Sequence, residues 1–414
     1  MTRFADFRLA FVVPRYGSNI VGGAETLARK MAERLAAEGA DVCVFTTCAQ
    51  SHFTWENALP QGESMESGVL VRRFLTNPRN LAAFHSIQAR IVEGIRTTVD
   101  EQIRWLAESV NSDGLLDALA GEVDRFDAVF LLPYLFGTTF FGARVAGPKA
   151  VLIPCLHDEP FAKLPVFRLL FEGVGGFWFN TEAEARLADL LYGIGDRPRA
   201  VVGMGFDRDP PGDGDRFRTK FGVSGDYLLY FGRKEGGKGV PLLLEWFSRL
   251  RRSGQEEMRL VLAGDGEIHL PAEAAGSVLD LGFLDPEDKR DAVAGALAVC
   301  QLSRKESFSI VLMESWLQGR PMIVHADCPV TLEHCERSGG GLWARNAAEF
   351  IEAVSWMRKN SAGAAAMGEA GRTYVRERYA WDTVIERANA FLAGYPPIVI
   401  RHRSFVNRQQ RASD

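Results

Sequence analysis

The sequence has no excess of positive charge, no cysteines at metal-binding spacing and no apolar run long enough to span a membrane. Its 48 Lys+Arg stand against 53 Asp+Glu, a net charge of −5, which excludes a basic nucleic-acid binder. Cys43, Cys48, Cys155, Cys300, Cys328 and Cys335 are scattered singly, without a C-x-x-C pair or a Cys/His cluster, so nothing suggests a zinc site. A chain this long needs no disulfide frame, and free thiols in apolar runs behave as small hydrophobes, which points to a reducing cytoplasm. Met1 to Asp6 carry two charges and no apolar core of signal-peptide length. Ala128 to Ala143 is uncharged, but it is shorter than the roughly 20 residues of a spanning helix and contains Pro133 and Gly137. It reads as strand, loop and buried helix. These absences predict a soluble cytoplasmic protein, with contact at the inner face of a membrane left open.

What is present is an ordinary globular composition, 47% hydrophobic and 24% charged over 414 residues. At roughly 100–200 residues per domain, two domains are the working number. Leu9–Val13 is a short buried strand ended by Pro14. From Gly23 an amphipathic helix follows, with Leu27, Met31 and Leu35 on one face, and Gly39 ends it before a strand at Val42–Thr46. This opens a doubly wound sheet. Further strands are expected at Val69–Phe74, Ala128–Leu132 and Ala150–Pro154, with helices within Asn80–Glu108 and Ala183–Leu191. Between Val201 and Asp215 the periodicity stops and Gly, Pro and Asp accumulate, as in a linker. The α/β pattern then restarts, with strands at Tyr227–Phe231, Leu260–Ala263, Val278–Leu281, Ala298–Leu302 and Met322–His325. Helices are expected at Pro241, after Pro286 and from about Ile310. Two such halves imply two Rossmann-like domains facing across a cleft.

The chemistry concentrates in loops that follow strands. Gly17 and Gly22 have P-loop spacing, yet Gly23 and Ala24 stand where Lys and Ser/Thr are required, so an ATPase is excluded. No G-x-G-x-x-G occurs, and Gly264-Asp265-Gly266 is a lone G-x-G, which weakens a dehydrogenase. The first loop is either a packing turn or a ligand approach. In Gly232 to Gly239, Arg233 and Lys238 add cationic charge to a glycine-rich backbone that an anion could approach; a solvated turn is the other reading. Glu306-Ser307-Phe308-Ser309-Ile310 to Glu314 runs from a strand end into a helix N-terminus, where free N–H groups favour phosphate. Glu314 is expected buried among Val311, Leu312 and Trp316, in need of a polar partner such as vicinal hydroxyls. The alternative makes Glu306 a cap-region acid and Glu314 part of a helix face. His157 is expected to close a buried strand and face the cleft, or else to be a hydrogen-bonded structural residue. Asp158 and Glu159 lack a second converging acidic cluster, so a metal site is not expected there.

In this order the motifs resemble the retaining GT-B glycosyltransferases of family 4, the group 1 transferases. They are Gly22-Gly23-Ala24-Glu25, Leu156-His157-Asp158-Glu159, Phe179-Asn180-Thr181-Glu182, Gly203 to Asp207, Gly232-Arg233 with Lys238, Ala263 to Gly266, Glu306 to Glu314 with Gly319-Arg320-Pro321, and Tyr379-Ala380-Trp381. The family's frequent Pro-Ser pair before the acidic motif is Leu302-Ser303 here, a departure that removes no charged group. The resemblance implies an acceptor domain over 1–205, a nucleotide-sugar domain over 206–380, a crossover helix over 381–397 that returns to the first domain, and a polar tail over 398–414. It further implies that Arg233 and Lys238 bind the donor diphosphate with the amides around Ser309 and Ile310. Glu314 would hold the ribose, Glu306 the sugar, and His157 would lie near the anomeric centre. Gly22, Gly23, Gly264, Ser307 and Phe308 complete the expected donor site. The donor would be a UDP-, GDP- or ADP-sugar and the acceptor a glycan, a lipid-linked glycan or a small molecule, with no cofactor and no essential metal. The alternatives are a non-catalytic nucleotide-sugar-binding or scaffold subunit, and an epimerase or phosphorylase of the same fold.

Overall fold

The computed structural model describes residues 3–268, 270 and 276–395. The polar tail and the last two residues of the expected crossover segment, 396 and 397, lie outside the described residues. The first sheet contains β1 (Arg8–Val12), β2 (Asp41–Thr47), β3 (Gly62–Glu66), β4 (Val69–Phe74), β5 (Ala128–Leu131), β6 (Ala150–Leu152), β7 (Gly176–Phe179) and β8 (Arg199–Val201). Their order is β3-β4-β2-β1-β5-β6-β7-β8. Every pairing is parallel except the β3–β4 hairpin. The connections carry α1 (Gly23–Ala37), α2 (Leu81–Val92), α3 (Val99–Ala107), α4 (Asp113–Glu122), α5 (Gly137–Ala146), α6 (Pro165–Gly173) and α7 (Glu182–Tyr192). The central strands are buried along nearly their whole length, as required when helices cover both faces of a parallel sheet.

The second sheet contains β9 (Tyr227–Phe231), β10 (Arg259–Ala263), β11 (Val278–Asp280), β12 (Ala298–Gln301), β13 (Met322–His325) and β14 (Gly341–Ala344), in the order β11-β10-β9-β12-β13-β14. All are parallel. Around them lie α8 (Gly214–Phe221), α9 (Val240–Arg252), α10 (Pro286–Gly295), α11 (Ile310–Leu317), α12 (Pro329–Ser338), α13 (Ala347–Lys359) and α14 (Ser361–Arg378). Helix α15 (Trp381–Gly394) returns to the first sheet. Phe391 packs on Trp178 of β7, and the Tyr395 hydroxyl donates to the Pro148 carbonyl at 2.7 Å. One apolar cluster thus runs from Phe11, Phe130 and Trp178 through Trp381 and Phe391 to Trp316 and Leu312. The two sheets share that cluster, so the crossover helix is structural cement as well as a connection.

Both sheets are built outward from a central strand and then resume on its other side, at β1/β5 and at β9/β12. Such switch points leave a crevice at the carboxyl ends of the strands, where loops diverge and ligands bind. Contacts between the domains come from these ends. Thr181, after β7, donates its hydroxyl to the Ser307 carbonyl at 3.1 Å, and His52, after β2, meets Arg233, after β9, at 3.2 Å. The two carboxyl edges therefore face each other. Among the described residues no helix is long and apolar enough to cross a membrane.

Candidate functional site

The second domain's switch point brings Lys238 and Glu306 together from loops far apart in sequence. Lys238 Nζ donates to Glu306 Oε1 at 2.8 Å, and Gln301 Nε2, at the end of β12, donates to the same oxygen at 3.0 Å. Gln301 also accepts the Ser309 hydroxyl at 2.5 Å, so one amide fixes both the acid and the cap of α11. Ser309 holds a left-handed conformation, φ 70°, uncommon outside glycine, and its Oγ accepts the Leu312 amide. The loop that carries Lys238 rests against the strand end beneath it. A methyl group on Gly239, φ +76°, would stand 2.4 Å from the Leu302 carbonyl oxygen. Only glycine permits that approach.

Arg233 is exposed beside this pair, with Glu235 3.3 Å away and the His52 ring nitrogen opposite. An arginine only donates, so that nitrogen accepts, which requires the neutral ring. Burial, then the charges of Arg15 and Arg233, lower the His52 pKa in agreement. The other lysine of the loop, Lys234, is buried on Asp280 at 2.6 Å and is structural.

From the first domain, His157 reaches the same place. It lies five residues beyond the end of β6, not at the close of a strand as expected, because the chain turns at Cys155 with φ 52°. Its Nδ1 is 3.3 Å from Glu159 Oε1, while the Tyr134 hydroxyl donates to that oxygen at 2.7 Å. Burial lowers the His157 pKa most. The carboxylates of Glu159 and Glu306 oppose that effect, while Lys238 and Lys305 add to it. His157 is thus within electrostatic reach of the Lys238–Glu306 pair across the domain boundary, and neutral at pH 7.

Several expected site residues stand differently. Glu314 is half-buried, not enclosed in the core. Its Oε1 accepts from Lys289 Nζ at 2.7 Å, since α10 brings that ammonium to the same edge. The Phe308 ring is buried in the domain junction, against Tyr379 at 5.2 Å and Phe206 at 6.1 Å, so only its backbone can face a ligand. Gly264 is held against Gly232, whose carbonyl oxygen a methyl group would meet at 2.0 Å; it packs two loops together. Gly22 and Gly23 open α1 without a side-chain cap, and a methyl group on Gly23 would meet nothing within 4 Å.

The sequence reading missed Glu184, which is fully buried. It accepts the amides of Leu156 and Asn180, each at 2.6 Å, and so ties the loop before His157 to the turn before Thr181. Burial pushes its pKa up to about 8 against the pull of those backbone donors. The available signal was Thr181 three residues before Glu184, a helix-start spacing, and Thr181 does accept the Glu184 amide. Beyond His157 a cavity of about 1090 Å³ opens between the α2–α3 connection and residues 158–165, lined by Arg96, Thr98, Asp158, Glu159 and Lys163 among others.

Two strand-end loops present Arg233, Lys238 and a helix N-terminus toward a second α/β domain, the two-domain arrangement of the GT-B fold. Residues 213–374 match the family model of glycosyl transferases group 1. D-inositol 3-phosphate glycosyltransferase of Kribbella flavida is 27% identical over 336 residues, 75% of this chain and 76% of that one. Among solved structures, sucrose-phosphate synthase from Thermosynechococcus elongatus superposes with a TM-score of 0.70 at 14% identity, covering 94% of this chain and 98% of that one. HepE of Anabaena, in complex with UDP, superposes at 0.67 with 16% identity, covering 93% and 99%. The chain has the GT-B fold, and its second domain is similar to the glycosyl transferases group 1.

Proposed function

We propose that the chain transfers a hexosyl group from a nucleoside-diphosphate sugar to an acceptor hydroxyl with retention of configuration and without an essential metal. The observation that carries this reading is the Lys238–Glu306 pair at the second switch point, with His157 in its field. The diphosphate sits on Arg233, on Lys238 and on the first amides of α11. Lys238 has three N–H donors and spends one on Glu306, so it can hold phosphate and acid together. Glu314 accepts ribose hydroxyls at Oε2, with Oε1 kept by Lys289. Glu306 accepts from the sugar hydroxyls, and neutral His157 lies along the sugar edge. Relatives support a UDP-sugar donor, since HepE was solved with UDP and with UDP-glucose.

In the transfer step the bond from the anomeric carbon to the diphosphate oxygen breaks and the bond to the acceptor oxygen forms on the same face. The acceptor proton passes to the departing phosphate. Charge then grows on the diphosphate, where two cations and the helix terminus are already aimed. At about 1.5–3 kcal/mol per charge-assisted hydrogen bond, the two side chains together account for roughly 10²–10⁴ in rate. The acceptor enters by the 1090 Å³ cavity beside Asp158 and Glu159, whose mixture of charges suits a polyhydroxylated or phosphorylated acceptor. The name of the inositol-phosphate relatives supports the latter. The test is a thermal-shift screen of UDP-, GDP- and ADP-sugars followed by NMR of the product's anomeric proton. Stabilisation by one donor and an unchanged anomeric configuration are expected; an inverted product, or a requirement for added magnesium, overturns the reading.

A further inference from the structure

A second cavity, of about 190 Å³, lies at the junction of the domains, away from the Lys238–Glu306 pair. Its walls come from the start of α7 in the first domain and from α12, α14 and the crossover helix α15. Arg337, Arg378 and Arg387 all line it. Arg337 is spent on Glu333, which also accepts from Arg186, each at 2.5 Å. Arg387 donates to the backbone carbonyls of Val202 and Arg378 and lies over the Tyr379 ring at 5.6 Å. Among the described residues neither Arg378 nor Arg387 has a carboxylate partner. Burial lowers the Arg387 pKa, Tyr379 opposes that effect, and the nearby Arg378 charge adds to it. The acids that line the cavity are Glu333, already doubly paired, and Glu182, exposed at the start of α7.

The cavity floor is polar as well. His334 is 4% exposed, and its Nδ1 meets the Tyr374 hydroxyl at 2.9 Å. Burial, Arg337 and Arg378 hold the ring neutral, and burial keeps the hydroxyls of Tyr374 and Tyr379 protonated. Unbalanced guanidinium groups converging on a cavity that offers neutral donors form an anion site, and the planar fork of arginine suits phosphate oxygens. At roughly 30 Å³ per water, the space equals about six waters, room for a phosphate group and the first atoms of an ester.

We propose that this junction cavity binds a small phosphate-class dianion, either inorganic phosphate or the phosphate end of a monoester, between Arg337, Arg378 and Arg387. The bound ion touches both domains and neutralises the charge that crowds α15 against α14. Calorimetric titration of the full chain with inorganic phosphate, and separately with a sugar phosphate, tests it on wild type, Arg378→Gln and the double variant R233A/K238A. Affinity for at least one ligand should be unchanged in R233A/K238A and at least about tenfold weaker in Arg378→Gln. Absence of binding by either ligand in wild type at about 10 mM, or loss in R233A/K238A with retention in Arg378→Gln, overturns the proposal. Should Arg378→Gln melt early, diffraction from wild-type crystals soaked in tungstate decides. Anomalous density between the three arginines supports the site, and density only beside Arg233 and Lys238 refutes it.

Discussion

Replacing Gly239 by alanine perturbs the contact between the two loops that carry Lys238 and Glu306. The backbone there has φ +76°, and the new methyl would lie 2.4 Å from the Leu302 carbonyl oxygen, which is main chain and cannot rotate away. A left-handed alanine costs about 1–2 kcal/mol, and relief of the clash requires a shift approaching 1 Å between the loops. The expected loss of stability is about 2–3 kcal/mol, or roughly 4–12 °C in Tm for a domain of this size. Because Lys238 precedes Gly239 directly, the same shift misplaces the ammonium, and a displacement of that size costs on the order of 10²-fold in turnover. The control is Gly237→Ala in the same loop, where an added methyl meets nothing within 4 Å. Melting curves and kcat/KM with the identified donor should show Gly239→Ala impaired in both and Gly237→Ala close to wild type. Equal behaviour of the two variants would refute the claim that the loop contact sets the site.

Two further substitutions separate the domains' contributions. Glu184→Gln puts an NH₂ donor where one side-chain oxygen accepts, so either the Leu156 or the Asn180 amide loses its partner, at a cost of about 1–3 kcal/mol. Because the loop it anchors belongs to the first domain, kcat should fall while the affinity for nucleoside diphosphate, measured by titration, is unchanged; a parallel loss of both would make Glu184 a general folding residue. His334→Gln tests a pH effect. The His334 pKa is pushed down to about 3 by burial first and by Arg337 next, so the unfolded chain takes up a proton that the folded chain refuses. Stability from the neutral ring is complete above about pH 6.5 and falls as the pH drops, by about 2 kcal/mol at pH 5. Denaturant titrations at pH 7 and 5 should show a smaller acid loss in the variant than in wild type; an identical loss would contradict the assignment.

The strands bounded by glycine or proline were legible at once. β9 and β13 run as their apolar runs predict, because a strand buried on both faces must be continuously apolar; β4 starts after Gly68 as expected, although Arg72 and Arg73 leave it half-buried. β3 carries Gly62-Glu63-Ser64-Met65-Glu66 on an exposed edge and has no such run, and β8 is three half-exposed residues; neither has a signature strong enough to read. Helix α14 is rich in glycine and alanine because it packs closely on α11, and helical periodicity is faint there. At the site, spacing pointed to Glu306 and Lys238 but not to the contact between them, which closes a long stretch of chain. Glu314 was misplaced by its apolar neighbours in sequence: it stands two positions from both Leu312 and Trp316, so the helix turns it away from their face and toward Lys289 of α10. His52 and Gln301 belong to no motif; they matter only because folding sets them against Arg233 and Glu306.

The central claim is that a nucleoside diphosphate is held at the second domain's switch point by Arg233 and Lys238. Isothermal titration of UDP, GDP and ADP into wild type and into R233A/K238A tests it without knowledge of the acceptor. One nucleotide should bind wild type and lose at least about 10²-fold in affinity in the variant, as two charge-assisted contacts of about 1.5–3 kcal/mol each require. Equal affinity in the two proteins, or no binding of any of the three to wild type, would contradict it.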